Sequence, residues 1–317
     1  MPFQLDDREM REVYCQTLAD LAERDGRIVL LEADLMRAVG TLPFRDRFPE
    51  RSFDVGVAEA NLVGVAAGLA ACGKIPFVHT FGPFAARRAC DQITISVAYS
   101  RLNVKIVGAD PGVSSELNGG THMALEDAAI MRVVPAMLIF EPVDNAQLVQ
   151  AIPQIVAHPG PCYLRLFRKK APKIFPPDYK FTLGKADVLR DGADLAIFAG
   201  GLLVHKALEA AEQLAGEGIG AAVINIHTLK PLDGDCVLSF AKRCRAVVTA
   251  ENNSRIGGLG GAVCEFLSEN LPTPVIRVGV NDRFGEVGLM PYLHKALEVD
   301  VGDIAAAAKR ALALKKK

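Results

Sequence analysis

The sequence has no tryptophan and only five tyrosines beside fifteen phenylalanines, so aromatic residues make up 6% of the chain. Stacking platforms for nucleobases are scarce at that level. An excess of either charge is also missing: 36 Lys+Arg stand against 37 Asp+Glu, a formal net of -1. That balance removes the electrostatic drive for non-specific nucleic-acid binding. The seven cysteines (Cys15, Cys72, Cys90, Cys162, Cys236, Cys244 and Cys264) are odd in number and contain no C-x-x-C pair. They read as buried free thiols in a reducing compartment, not as a disulfide framework. No apolar run approaches the roughly 18 uninterrupted residues of a membrane span. Val55–Cys72 is Gly/Ala-rich and carries Glu59 and Asn61. The start, MPFQLDDREMRE, is acidic and polar, without the apolar segment of a signal peptide. The closing KKK reads as a solvated tail whose cations suit a helix C-terminus. These absences exclude a nucleic-acid module, a membrane protein and a disulfide mini-protein. They lead us to expect a cytoplasmic setting.

Half of the residues are hydrophobic, enough for a sizeable core. The 317 residues are twice the usual allotment of about 150 for one domain, so two domains are expected. Short apolar runs read as buried strands at Ile28–Leu31, Phe77–Thr80, Val104–Val107, Met137–Phe140 and Cys162–Leu166. Helical stretches at Met10–Glu23, Glu59–Ala71 and Asn145–Ile155 alternate with them. FRKKAPKIFPPDYKF, residues 167–181, breaks both periodicities with three prolines and reads as a linker. Strands then resume at Leu195–Ala199, Ala221–Ile226, Arg245–Ala250 and Val275–Val278, with helices at Leu203–Gly216, Gly261–Asn270 and Val301–Leu314. The reading is two doubly wound α/β domains with mainly parallel sheets, spanning residues 1–166 and 182–317.

Ile256–Val263, IGGLGGAV, looks like a dinucleotide loop, yet the strict G-x-G-x-x-G fails. A tight turn that brings a helix close to its sheet is the better reading. Glu59 stands at a strand-to-helix junction before an almost wholly apolar helix. Alone, it fits a charge complementing the helix dipole, or a carboxyl whose protonation a bound partner sets. Phe81 and Phe84 end a strand just before Arg87 and Arg88. They fit either core packing or a ligand wall at the C-terminal edge of a parallel sheet.

Taken in order, GVAE…GLAACG, HTFGPFAARRACDQI and VGADPGVSSELNGGTHMALEDAAIMR resemble the C-terminal half of a transketolase. The likeness continues through LEADL, HTLKPLD and FGEVG, and the whole chain resembles the C-terminal subunit of a split transketolase. The resemblance implies thiamine diphosphate as cofactor. It makes Glu59 the glutamate that hydrogen-bonds the aminopyrimidine N1′ and favours the imino form that activates the thiazolium carbon. It implies that Phe81 and Phe84 pack the aminopyrimidine, that Arg87 borders the cofactor, and that Asp34 lies near the cofactor and the subunit interface. It also implies that His122 contacts substrate and assists proton transfer, and that Arg11 and Arg165 hold a sugar phosphate.

The chain departs from the family pattern in one loop. Asp110 stands where a phosphate-binding histidine is expected, and Asn118 replaces an aspartate that reads a donor hydroxyl. An anionic Asp110 is expected to repel a substrate phosphate. The implied chemistry is therefore ketol transfer on an unusual sugar, unphosphorylated or branched. The G-D-G of a magnesium–diphosphate site is missing. The Mg²⁺ site is expected on an N-terminal partner subunit, in an α2β2 assembly that self-associates across the pyrimidine domain. Two alternatives stay open: the β subunit of a 2-oxo acid dehydrogenase E1, whose histidine context is Q-H-S, and a non-catalytic transketolase-like partner protein.

Overall fold

The computed structural model of the protein describes residues 3–315. Lys316 and Lys317 of the expected tail, with Met1 and Pro2, lie outside them. Twelve strands are present among the described residues: β1 (Ile28–Glu32), β2 (Ser52–Asp54), β3 (Ile75–Phe81), β4 (Lys105–Ala109), β5 (Leu138–Phe140), β6 (Cys162–Leu166), β7 (Asp187–Arg190), β8 (Leu195–Ala199), β9 (Ala221–Asn225), β10 (Thr228–Lys230), β11 (Val247–Ser254) and β12 (Val275–Val280). They form a seven-stranded sheet in the order β10-β5-β6-β4-β3-β1-β2 and a five-stranded sheet in the order β12-β11-β8-β9-β7. Only the β10–β5 and β7–β9 pairs are antiparallel. Two α/β domains with mostly parallel sheets are what the alternating apolar pattern dictates.

In the first sheet, β1, β3, β4 and β6 are buried along their whole length. Leu30 and Phe77 point to the face packed by the helices α1 (Met10–Arg24) and α7 (Asn145–Ala157). Leu31 and Val78 point to the other face, packed by α4 (Glu59–Ala71). The shorter helices of this half are α2 (Met36–Val39), α3 (Leu42–Arg47), α5 (Gly82–Arg88) and α6 (Asp127–Val133). The second sheet is flanked by α8 (Leu203–Gly216), α9 (Gly234–Cys244), α10 (Leu259–Asn270), α11 (Met290–Ala296) and α12 (Val301–Lys315).

Two features cross the expected division of the chain. Strand β10 belongs in sequence to the second half but completes the first sheet against β5. Residues 167–181 are also no loose tether. Phe167, Ala171 and Phe181 are buried, and Asp144 Oδ2 accepts from the backbone N–H groups of Ile174 and Phe175. Prolines and lysines mark an irregular path here, but its backbone donors are satisfied by α7 and the halves are welded together.

Candidate functional site

Parallel strands deliver their C-terminal ends to one edge of a sheet, and there the candidate residues gather. Phe81 pairs in register with Ala109, and Ala109 with Leu166, so the residues that follow β3, β4 and β6 emerge side by side. Phe81, Val39 and Ala109 form a small buried cluster at this edge, with Phe84 packed against it. The 3-10 turn Gly120–His122 lays the His122 ring on both phenylalanines. Centroid separations are 5.5 Å to Phe81 and 5.1 Å to Phe84, and Phe81 and Phe84 are 6.1 Å apart. All three pairs are edge-to-face, the arrangement that the ring quadrupoles favour.

Glu59 opens α4 beside this wall and is 4% exposed. Its Oε1 accepts from Arg88 Nη1 at 3.0 Å and from the Thr80 hydroxyl at 3.5 Å. The Arg88 guanidinium also sits 4.0 Å over the Phe84 ring, while Arg168 lies 4.8 Å over Phe81. Each phenylalanine is thus faced by a cation, which its π cloud attracts. A buried carboxylate at a helix N-terminus beside an aromatic wall fits a flat ring that carries a basic nitrogen.

Arg168 is the functional candidate that sequence reasoning missed. It follows the end of β6, donates to Asp110 Oδ2 and gives Nη1 to the Ala38 carbonyl at 3.0 Å. Asp110 is completely buried, and burial pushes its carboxyl up from the ordinary range against the pull of Arg168. The expected bare anion that repels a phosphate is therefore corrected: Asp110 is half of an ion pair. The pair remains incompletely bonded, since Asp110 Oδ1 and Arg168 Nε have no partner among the described residues. The Arg168 position could have been found from its place just beyond a strand at the ligand-binding edge.

Arg11 meets the same carbonyl, donating Nη1 to Ala38 O at 2.7 Å while pairing with Glu9. Asp34 is exposed in the left-handed region (φ 59°), its N–H held by Asp54 Oδ1 at 2.9 Å. Asn118 lies exposed on the turn that leads to His122.

The Arg165 assignment is corrected. Arg165 does not reach the edge: it is 3% exposed, its Nε lies 3.0 Å from Asp127 Oδ2, and it is ion-paired with Glu141. Two carboxylates already satisfy that guanidinium, which leaves no fork for a sugar phosphate. Arg87 donates to the Thr121 carbonyl, next to His122, and pairs with Glu126, while its neighbour Arg88 takes the place beside Glu59. The glycine-rich turn at Gly258 is closed to phosphate. Glu251 accepts the N–H groups of Leu259 and Gly260 at 2.7 and 2.8 Å, filling the N-terminus of α10 itself.

Residues 6–173 match the transketolase pyrimidine binding domain, and residues 184–304 match the transketolase C-terminal domain. The chain is 56% identical over 309 residues to a 6-deoxy-6-sulfo-D-fructose transketolase subunit of Clostridium sp. strain MSTE9, covering 97% of this chain and 96% of that one. It is 38% identical to one of the apulose-4-phosphate transketolase subunits of Phocaeicola vulgatus, covering 86% and 87% of the two chains. Among solved structures, a split-gene transketolase described as an inactive β4 tetramer superposes with a TM-score of 0.90. It is 45% identical, with 97% and 99% of the chains covered.

Proposed function

This chain belongs to the transketolase family, as a subunit of the split, thiamine-diphosphate-dependent kind, and we propose that it transfers a two-carbon ketol unit between sugars. The observation that carries the proposal is the buried Glu59 carboxylate beside the Phe81–Phe84–His122 wall. When bound, thiamine diphosphate supplies a carbon nucleophile that accepts and releases the ketol unit. Glu59 and the two phenylalanines would hold its aminopyrimidine. Glu59 offers a carboxyl to a ring nitrogen, the phenylalanines exclude water, and His122 presents a nitrogen that can hold or move a substrate proton. The diphosphate and its Mg²⁺ would be held by an N-terminal subunit carrying G-D-G, in an α2β2 assembly and a cytoplasmic setting.

For the donor we favour an unphosphorylated, sulfonated ketose over a sugar phosphate. Asp110 neutralises the Arg168 guanidinium and leaves its Nε–H as a donor without net positive charge, which suits a monoanionic sulfonate better than a phosphate dianion. The relative that acts on 6-deoxy-6-sulfo-D-fructose supports that choice.

Reconstitution with a G-D-G partner, thiamine diphosphate and Mg²⁺ tests the reading. Faster ketol transfer from 6-deoxy-6-sulfo-D-fructose than from xylulose 5-phosphate is expected. Ordinary turnover of xylulose 5-phosphate with ribose 5-phosphate would overturn the substrate choice. Decarboxylation of a 2-oxo acid would identify an E1 β subunit, and no turnover with any donor a non-catalytic partner.

A further inference from the structure

A cavity of about 280 Å³ lies behind the Asp110–His122 loop, where both halves of the chain meet. Its wall is largely apolar: Leu5 and Pro172, Phe167 just after β6, Leu202 before α8, and Met290 at the start of α11. Pockets that take small organic molecules have this character, an apolar body with a few convergent polar groups.

The polar groups are of two kinds. His294, on α11, is 4% exposed and lines the cavity, and its buried Nε2 has no hydrogen-bond partner among the described residues. A buried polar atom left in that state is unusual. Burial holds His294 down to about 3 and His205 down to about 4, so both rings are neutral near pH 7. They offer a hydrogen bond and no charge. Charge comes from Lys170 and Lys295, two exposed ammonium groups lining the cavity with no ion pair or hydrogen bond among the described residues. The other charged groups are already matched. Lys206 pairs with Asp300 at 2.6 Å, and Lys169 with Glu116.

We infer that this cavity is a binding site for a small organic anion with an apolar body, held by Lys170, Lys295 and the His294 imidazole. It is separate from the Glu59 edge and does not depend on the reaction proposed there. It is nevertheless mechanically joined to that edge. Glu116, a left-handed residue (φ 48°) in the loop that carries Asp110 and His122, accepts the Met290 N–H at 2.9 Å. An occupant seated against Met290 stiffens the anchor of the substrate loop, so binding is expected to tune the enzyme.

Hexanoate and hexyl phosphate, titrated calorimetrically onto the full chain, test the inference, with hexanol as the uncharged control. Saturable binding of either anion supports the site, and the tighter of the two names the head group. Lys170→Glu combined with Lys295→Glu should weaken binding at least tenfold; both are exposed, so folding should be untouched. His294→Phe should also weaken it. Hydrogen exchange should slow at residues 113–118 and 290–295 on binding. No saturable binding of either anion, hexanol binding as tightly as the anions, or wild-type affinity in the double lysine variant would each overturn the site.

Discussion

Glu59 and Arg88 share a 3.0 Å ion pair whose two ends live in different surroundings: the carboxylate is 4% exposed and the guanidinium side chain 50% exposed. Glu59→Gln removes the charge from the buried end and keeps the shape. Arg88 returns to water, so no buried charge is stranded, and a half-exposed pair contributes at most about 1 kcal/mol. The expected outcome is a fold within about 1 kcal/mol of wild type by denaturant titration, with ketol transfer by the reconstituted pair abolished. Wild-type turnover in Glu59→Gln would remove the carboxyl from the mechanism.

The Arg168–Asp110 pair predicts the opposite pattern. Asp110 is fully buried, so Arg168→Met leaves a carboxylate without its cation, a loss in the range of about 3–5 kcal/mol for buried pairs. Asp110→Asn in the same chain should recover much of that loss, because the stranded charge is gone. A double-mutant cycle on unfolding free energies measures the coupling; additive effects would mean that the pair is not formed.

The contrast between Arg165 and Arg168 marks where sequence stops being legible. The strands, the helix that Glu59 opens and the paired phenylalanines follow from local periodicity, which depends only on near neighbours. Arg165 looked available because nothing nearby in sequence shows that Asp127 and Glu141 converge on it. Arg168 was absorbed into a stretch dominated by prolines and lysines, although it begins just beyond a strand end at the ligand-binding edge. Strand β10 was invisible for a related reason: three residues owe their strand state to pairing with β5, many residues earlier.

Glu32 predicts a pH dependence of stability. It is fully buried, accepts the Thr41 hydroxyl at one oxygen and has no partner among the described residues at the other. Burial raises its carboxyl to about 8, with the Asp54 charge adding to the effect. His79 Nδ1 lies 3.8 Å away but is no counter-ion, because burial lowers that imidazole to about 4. With the folded pKa above the unfolded one, this stabilisation is complete below about pH 4.5 and is lost as pH rises toward 8. The slope is about 1.4 kcal/mol per pH unit in that window. Glu32→Gln should flatten the decline between pH 5.5 and 8, read by denaturant titration at each pH. An unchanged slope in the variant would mean that Glu32 does not titrate there.

Gly64 and Gly68 separate the stability of the chain from its assembly. Both lie on the outward side of α4, and a Cβ added at either would meet nothing within 4 Å. Within one chain, glycine there is a cost, since alanine at an exposed helix interior stabilises by roughly 1 kcal/mol. Exposed Val65 on the same helix, with Ile95 and Tyr99 on the π-helical segment Gln92–Tyr99, leaves apolar surface around that glycine face. A second copy packed closely on α4, as the expected self-association through the pyrimidine domain would require, would account for both the glycines and the apolar surround. Gly64→Leu should leave the isolated chain as stable as wild type or more so, while shifting its mass in light scattering toward the monomer. If Gly64→Leu assembles as wild type does, α4 is not the contact surface.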